Sequence, residues 1–139
     1  MAAYVKFFDF VEQLGKAIHD LDTAVIKVYL TNATPDQTAD TVKADLAEIA
    51  GGNGYTAGGT DITNTYTETG GTGSLVSGAG IVTWTAAGGT IGPFRYVVLY
   101  NDTAVSDNLI GSWDYGSAVT LQISESFSVD FEANVITIT

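Results

Sequence analysis

Apolar residues recur at helical spacing over the first twenty residues and at strand spacing after residue 50. Phe7, Phe10, Val11, Leu14, Ile18 and Leu21 fall three, four and seven apart, while Lys6, Asp9, Glu12, Gln13, Lys16 and Asp20 occupy the other face. The spacing predicts an N-terminal amphipathic helix within residues 4–21. Gly15 costs it about 1 kcal/mol against Ala, which a stripe of six apolar positions outweighs. Residues 24–31, β-branched and aromatic, predict a strand that the Asn32 to Pro35 turn cluster stops. Val42, Leu46 and Ile49 share a face and predict a second short helix over 41–50, capped by Asp40 or Thr41 and ended by Gly51-Gly52.

Beyond Gly51 the pattern becomes short strands parted by glycine and Asn-Asp turns. Strands are predicted over 61–68, 73–76, 81–85, 94–100, 109–115, 118–123, 127–131 and 135–139. Phe127, Val129 and Phe131 alternate with Ser126, Ser128 and Asp130, which calls for one buried and one polar face. Tyr96 to Tyr100 is apolar without a break, as in a central strand covered on both sides. With no helices between the strands, the fold class expected is mainly β: an antiparallel, jelly-roll-like β-sandwich with an N-terminal helix and a second short helix. A length of 139 residues suits a single domain over 1–139, with a helical segment at 1–22 and the sandwich at 23–139.

Composition narrows the function classes. The chain has no Cys, one His and a net charge of −11, and after Lys43 only Arg95 opposes ten carboxylates. Such a surface repels phosphate backbones, so no nucleic-acid partner is expected. No run of about 18 apolar residues suggests a membrane span, and Asp9 and Glu12 spoil any secretory signal.

The residues that usually carry catalysis are nearly absent. His19, between Asp20 and Asp22, reads as a base lacking a nucleophile, better placed as a charge at a helix C-terminus. The Gly71-Thr-Gly and Gly78-Ala-Gly runs lack a third glycine and a following helix, and read as hairpin turns rather than phosphate loops. Asn101, Asp102 and Asp107 could offer oxygens to Ca²⁺, but without the order of a calcium loop they read as a solvated turn. No catalytic, cofactor-binding or metal residues are assigned, and no enzyme activity is expected. Tyr66 and Trp84, set among Thr and Gly, are expected to be exposed aromatics. With Phe7, Phe8, Phe10 and Leu14 they form the candidate partner-binding set.

Three phrases carry a resemblance: Ala24-Val-Ile-Lys-Val-Tyr-Leu-Thr-Asn-Ala-Thr-Pro35, Ala44-Asp-Leu-Ala-Glu-Ile-Ala-Gly-Gly-Asn-Gly-Tyr-Thr-Ala-Gly-Gly59 and Gly92-Pro-Phe-Arg-Tyr-Val-Val-Leu-Tyr-Asn-Asp-Thr103. With the Gly111 to Tyr115 stretch, they resemble small structural proteins of tailed bacteriophages over almost the whole chain. The resemblance implies a non-enzymatic virion protein. Charge and compactness favour a capsid decoration or cement protein on the outer capsid surface, partnered by the major capsid protein and by itself as a homo-oligomer, a trimer before a dimer. The alternatives are a tail or fibre component and a receptor- or carbohydrate-binding module. The N-terminal segment is expected to be the binding edge, removable without unfolding the β domain.

Overall fold

A computed structural model of the chain describes residues 3–139 and holds, among them, ten strands and one α-helix. The fold is mainly β with antiparallel sheets. Val5–Lys6 (β1), Ile26–Thr31 (β2), Thr60–Asp61 (β3), Ile91–Asn101 (β7) and Leu109–Leu121 (β8) form a five-stranded sheet in the order β1-β8-β7-β2-β3. Opposite it lie two smaller sheets. One orders Ile136–Ile138 (β10), Thr72–Ser77 (β5) and Asn64–Thr69 (β4); the other pairs Ile81–Thr85 (β6) with Ser126–Asp130 (β9).

The pleat sorts the large sheet into two buried faces. Val28 pairs with Leu99 and Leu30 with Val97, and these inner side chains share one core with Leu75, Val82, Trp84, Val129 and Ile136 from the small sheets. Tyr29 pairs with Val98 on the outer face, where they and Tyr100 and Leu109 are covered by Phe7 and Leu46. β7 is therefore covered on both sides, as its unbroken apolar run requires.

Several expected elements are corrected. The N-terminal helix (α1) spans only Phe8–Gly15, preceded by β1; Ala17 then adopts a left-handed φ of 60° that ends the helical path. The segment beyond is a turn closed by Asp20, whose carboxylate accepts the Asp22 and Thr23 N–H groups at 3.0 Å each. The second helix is a 3₁₀ turn over Lys43–Asp45. Asp45 draws the Thr41 and Val42 N–H groups onto its carboxylate, and the chain then runs extended so that the Ile49 N–H reaches the Leu30 carbonyl at 3.1 Å. Leu46 and Ile49 thus cover the sheet without a helix between them, tertiary packing overriding local periodicity.

Two strand boundaries also move. The expected strand over 61–68 breaks at Thr63, φ 53°, so that β3 joins the large sheet and β4 the opposite layer. The strands expected over 109–115 and 118–123 are one strand, β8, because Gly116, φ 102°, lies in a bulge between the Tyr96–Asp114 and Phe94–Val119 pairs rather than in a hairpin turn.

Candidate partner-binding surface

The N-terminal candidates divide between core and surface. Phe7 enters α1 with extended dihedrals and drops onto the outer face of the large sheet, where it is fully buried. Phe10 is buried in the main core, 5.2 Å from the His19 ring, and Leu14 packs half-buried one turn later. Buried Phe7 and Phe10 cannot meet a partner directly, which corrects the expectation for both. The surface is left to their neighbours: Phe8 is 61% exposed and Val11 53%, three apart on the outward side of α1. Val5 on β1 and Ile18 beyond the helix are exposed apolar residues too, and Lys6 and Lys16 are exposed, Lys16 paired with Glu12.

Trp84 is also corrected. On β6 it alternates with Thr83 and Thr85 and points inward with Val82, only 3% exposed, between Tyr55 and Phe127. The surrounding threonines marked the outer half of a period-two pattern; their hydroxyls pair with Ser128 and Ser126 at 2.8 and 2.7 Å. Tyr66 is half-buried opposite Leu75, its phenol lying over Gly73, where no Cβ could fit. The structure does not bring these two aromatics to Phe8 and Val11.

His19 is a core residue, not a helix-end cation. It is 4% exposed, and burial holds its imidazole down at about 4, against a smaller upward pull from the Asp9 carboxylate. Its Nδ1 lies 3.3 Å from the Asn101 amide nitrogen; its Nε2 and Asp9 Oδ2 are buried without protein partners. Among the described residues no Ser, Thr or Tyr hydroxyl bonds to it, so no nucleophile–base pair is seen there.

Asn101, Asp102 and Asp107 serve structure. The Asn101 oxygen accepts the Thr103 and Ala104 N–H groups, and its amide donates to the Ile18 carbonyl. Asp102 pairs with Lys27 at 2.9 Å and accepts the Tyr100 hydroxyl; these contacts, Lys27 foremost, hold its carboxyl below the usual range. Among the described residues, no group of three or more His, Cys, Asp or Glu could hold a metal ion, and no helix is long and apolar enough to cross a membrane.

A polar network fastens the chain between β2 and β3 to the outer sheet face. Glu48 accepts the Tyr55 hydroxyl and the Gly58 N–H at 2.7 Å each and pairs with Lys43 at 2.7 Å. Lys43 in turn lies over the Tyr29 ring, 4.9 Å from its centroid. Tyr55 donates to Glu48 while accepting the Leu30 N–H, and burial drives its phenol well above the usual range. Every polar group here is engaged, which marks the network as a clamp rather than a reactive centre.

Sequence reasoning missed one feature, a cavity of about 310 Å³ between β8 and β9 lined by Trp113, Asp114, Tyr115, Phe127 and Asp130 among others. The Trp-Asp-Tyr and Phe-Ser-Val-Asp phrases contain its residues, but only the fold sets them face to face. Comparison with known proteins finds no matching family model, curated protein or solved structure. The phage resemblance therefore rests on the sequence phrases alone.

Proposed function

We propose that the chain is a non-enzymatic structural protein of a tailed-phage virion, a decoration protein that seats on the outer capsid surface against the major capsid protein and stabilises the shell. The observation that supports this most is the exposure of four apolar side chains in the N-terminal segment, Val5, Phe8, Val11 and Ile18, each 44–61% exposed. A small domain gains by burying such side chains against a partner, and exposed Lys6 and Lys16 can pair with acidic groups there. The charge of −11 suits an outer face rather than contact with packaged nucleic acid. Repetition of one copy over a lattice, most simply as trimers, multiplies a modest contact through avidity. In this reading the layers form a jelly-roll-like sandwich that presents these residues.

Deleting residues 1–18 cannot test this, because it removes Phe7 and Phe10 from two core clusters and β1 from its place beside β8. The test is Phe8→Ser with Val11→Ser, which alters exposed positions only. The double variant is expected to keep its thermal transition and to lose attachment to capsids by at least tenfold in a co-sedimentation assay. Normal attachment overturns these residues as the binding edge. Association of the intact protein with tails alone replaces the capsid reading with a tail one.

A further inference from the structure

The cavity between β8 and β9 carries an inference beyond that reading. Trp113, Tyr115 and Phe127 supply aromatic walls, with Tyr115 57% exposed and edge-on to Phe127 at a centroid distance of 5.3 Å and 79° between planes. Its polar lining is two carboxylates, Asp114 and Asp130, and the Ser128 hydroxyl; Arg95, outside the lining, holds Asp114 at 2.8 and 3.0 Å, so Asp130 carries the unpaired charge. Asp130 spends Oδ1 on the Glu132 N–H at 2.8 Å, and its other oxygen makes no bond among the described residues. Ser128 shares a bond with Thr83.

A lining of acceptors and ring faces suits a ligand that donates and is positively charged. Anions are disfavoured; a neutral sugar would also donate hydroxyls to these carboxylates and stack on the rings, so the choice of a cation rests on charge, and a glucoside is an arm of the test. The strands beside it are also open: β8 meets β1 only at Val5 and Lys6, and β9 pairs only with β6, so both leave backbone edge without a strand partner among the described residues. Such edges accept an added extended segment.

We propose that this cavity receives a lysine or arginine side chain carried on an extended segment of a partner protein. Charge complementarity argues the occupant, and the open edges argue its extended form. No residue of the N-terminal segment lines the cavity, so this proposal and the docking role of Phe8 and Val11 fail separately.

The test uses the full chain labelled with ¹⁵N and titrated with N-acetyl-lysine methylamide and with ethylguanidinium, against sodium chloride of matched ionic strength and against methyl glucoside. Saturable shifts are expected at the Trp113 indole N–H and the amides of Asp114, Tyr115 and Ser128. Asp130→Asn, which keeps an oxygen for the Glu132 N–H, should weaken binding at least fivefold, and Tyr115→Ala should abolish it, with the remaining spectrum unchanged in both. The proposal is overturned by an absence of saturable shifts with either cation, by equal shifts with sodium chloride, by unchanged affinity in both variants, or by saturation with the glucoside alone.

Discussion

The two faces of the large sheet are both buried but held by different physics. The inner face meets other strands through aliphatic and aromatic side chains, with Ile26, Val28, Leu99 and Phe94 wholly out of water. The outer face is covered mainly by a segment with little regular structure, and there tyrosines, Lys43 and Glu48 do what strands do opposite. Apolar burial is non-directional and tolerates small shifts, whereas the clamp depends on donors and acceptors in register. A covering strand brings its own ladder; a covering loop must satisfy its backbone through side chains, as Glu48 does for Gly58, while its Tyr55 accepts the Leu30 N–H of β2. The inner layer should therefore be sensitive to any charge placed within it, and the outer one to loss of a single polar group.

The largest test of that contrast is pH, because the inner layer contains one titratable imidazole. His19 sits against Phe10 and Asn101, with Asp9 the nearby charge. The folded chain takes up its proton near 4 and the unfolded chain near 6.5, so between these values the unfolded state binds more protons. Stability should fall as pH falls from about 6.5 to 4 and then level for this group, by roughly 3 kcal/mol in all. Urea unfolding across that window measures it, and His19→Gln should flatten the slope. Asp20, Asp36, Asp45, Asp102 and Asp114, all held low by hydrogen bonds or cations, add their losses only as pH drops below the ordinary carboxylate value. An unchanged slope in His19→Gln would show that the imidazole reaches solvent.

Legibility in the sequence follows the same division. β6, β7 and β9 could be read directly, since period-two alternation or a two-sided apolar run survives in any antiparallel setting. The clamp could not, because its members lie at positions 29 to 58 and share no periodicity; Leu46 and Ile49 even imitate a helix face. Trp84 reads as exposed because its threonine neighbours look like surface rather than like the outer half of a pleat. In the N-terminal segment the apolar stripe is legible, but which residues it buries is not: Phe7 and Phe10 serve the fold, while Phe8 and Val11 are left outside it. The cavity is a product of tertiary placement, and no local spacing announces it.

A smaller effect is expected from Glu48→Ala on the outer face. It strips a partner from the Tyr55 hydroxyl, the Gly58 N–H and Lys43 at once, and should cost about 2 kcal/mol. The sharper readout is where the cost falls. Hydrogen exchange should rise at Gly58 and through residues 43–59, while the amides pairing β2 with β7 keep their protection. Uniform loss across the sheet would mean that loop and strands open together and that the two faces are one cooperative layer.

The smallest effect should come from the exposed pair of Arg95 and Asp114, which belongs to neither clamp nor core. Arg95 donates Nε to Oδ1 at 2.8 Å and Nη2 to Oδ2 at 3.0 Å, yet both side chains keep more than a third of their surface in water. Solvent screening leaves such a pair little weight in stability, so Arg95→Ala should shift the urea midpoint only slightly. Its carboxylate stays in place without the arginine, because the Gly116 N–H still donates to Asp114 Oδ1 at 2.7 Å. What changes is the field at the cavity that Asp114 lines: removing the nearby guanidinium leaves that wall more negative, and ethylguanidinium should bind about twofold or more tighter than to the unaltered chain. Weaker binding would instead show that Arg95 shapes the wall, and Asp114 would then drop out of the cation-binding set, leaving Asp130 and the rings to carry it.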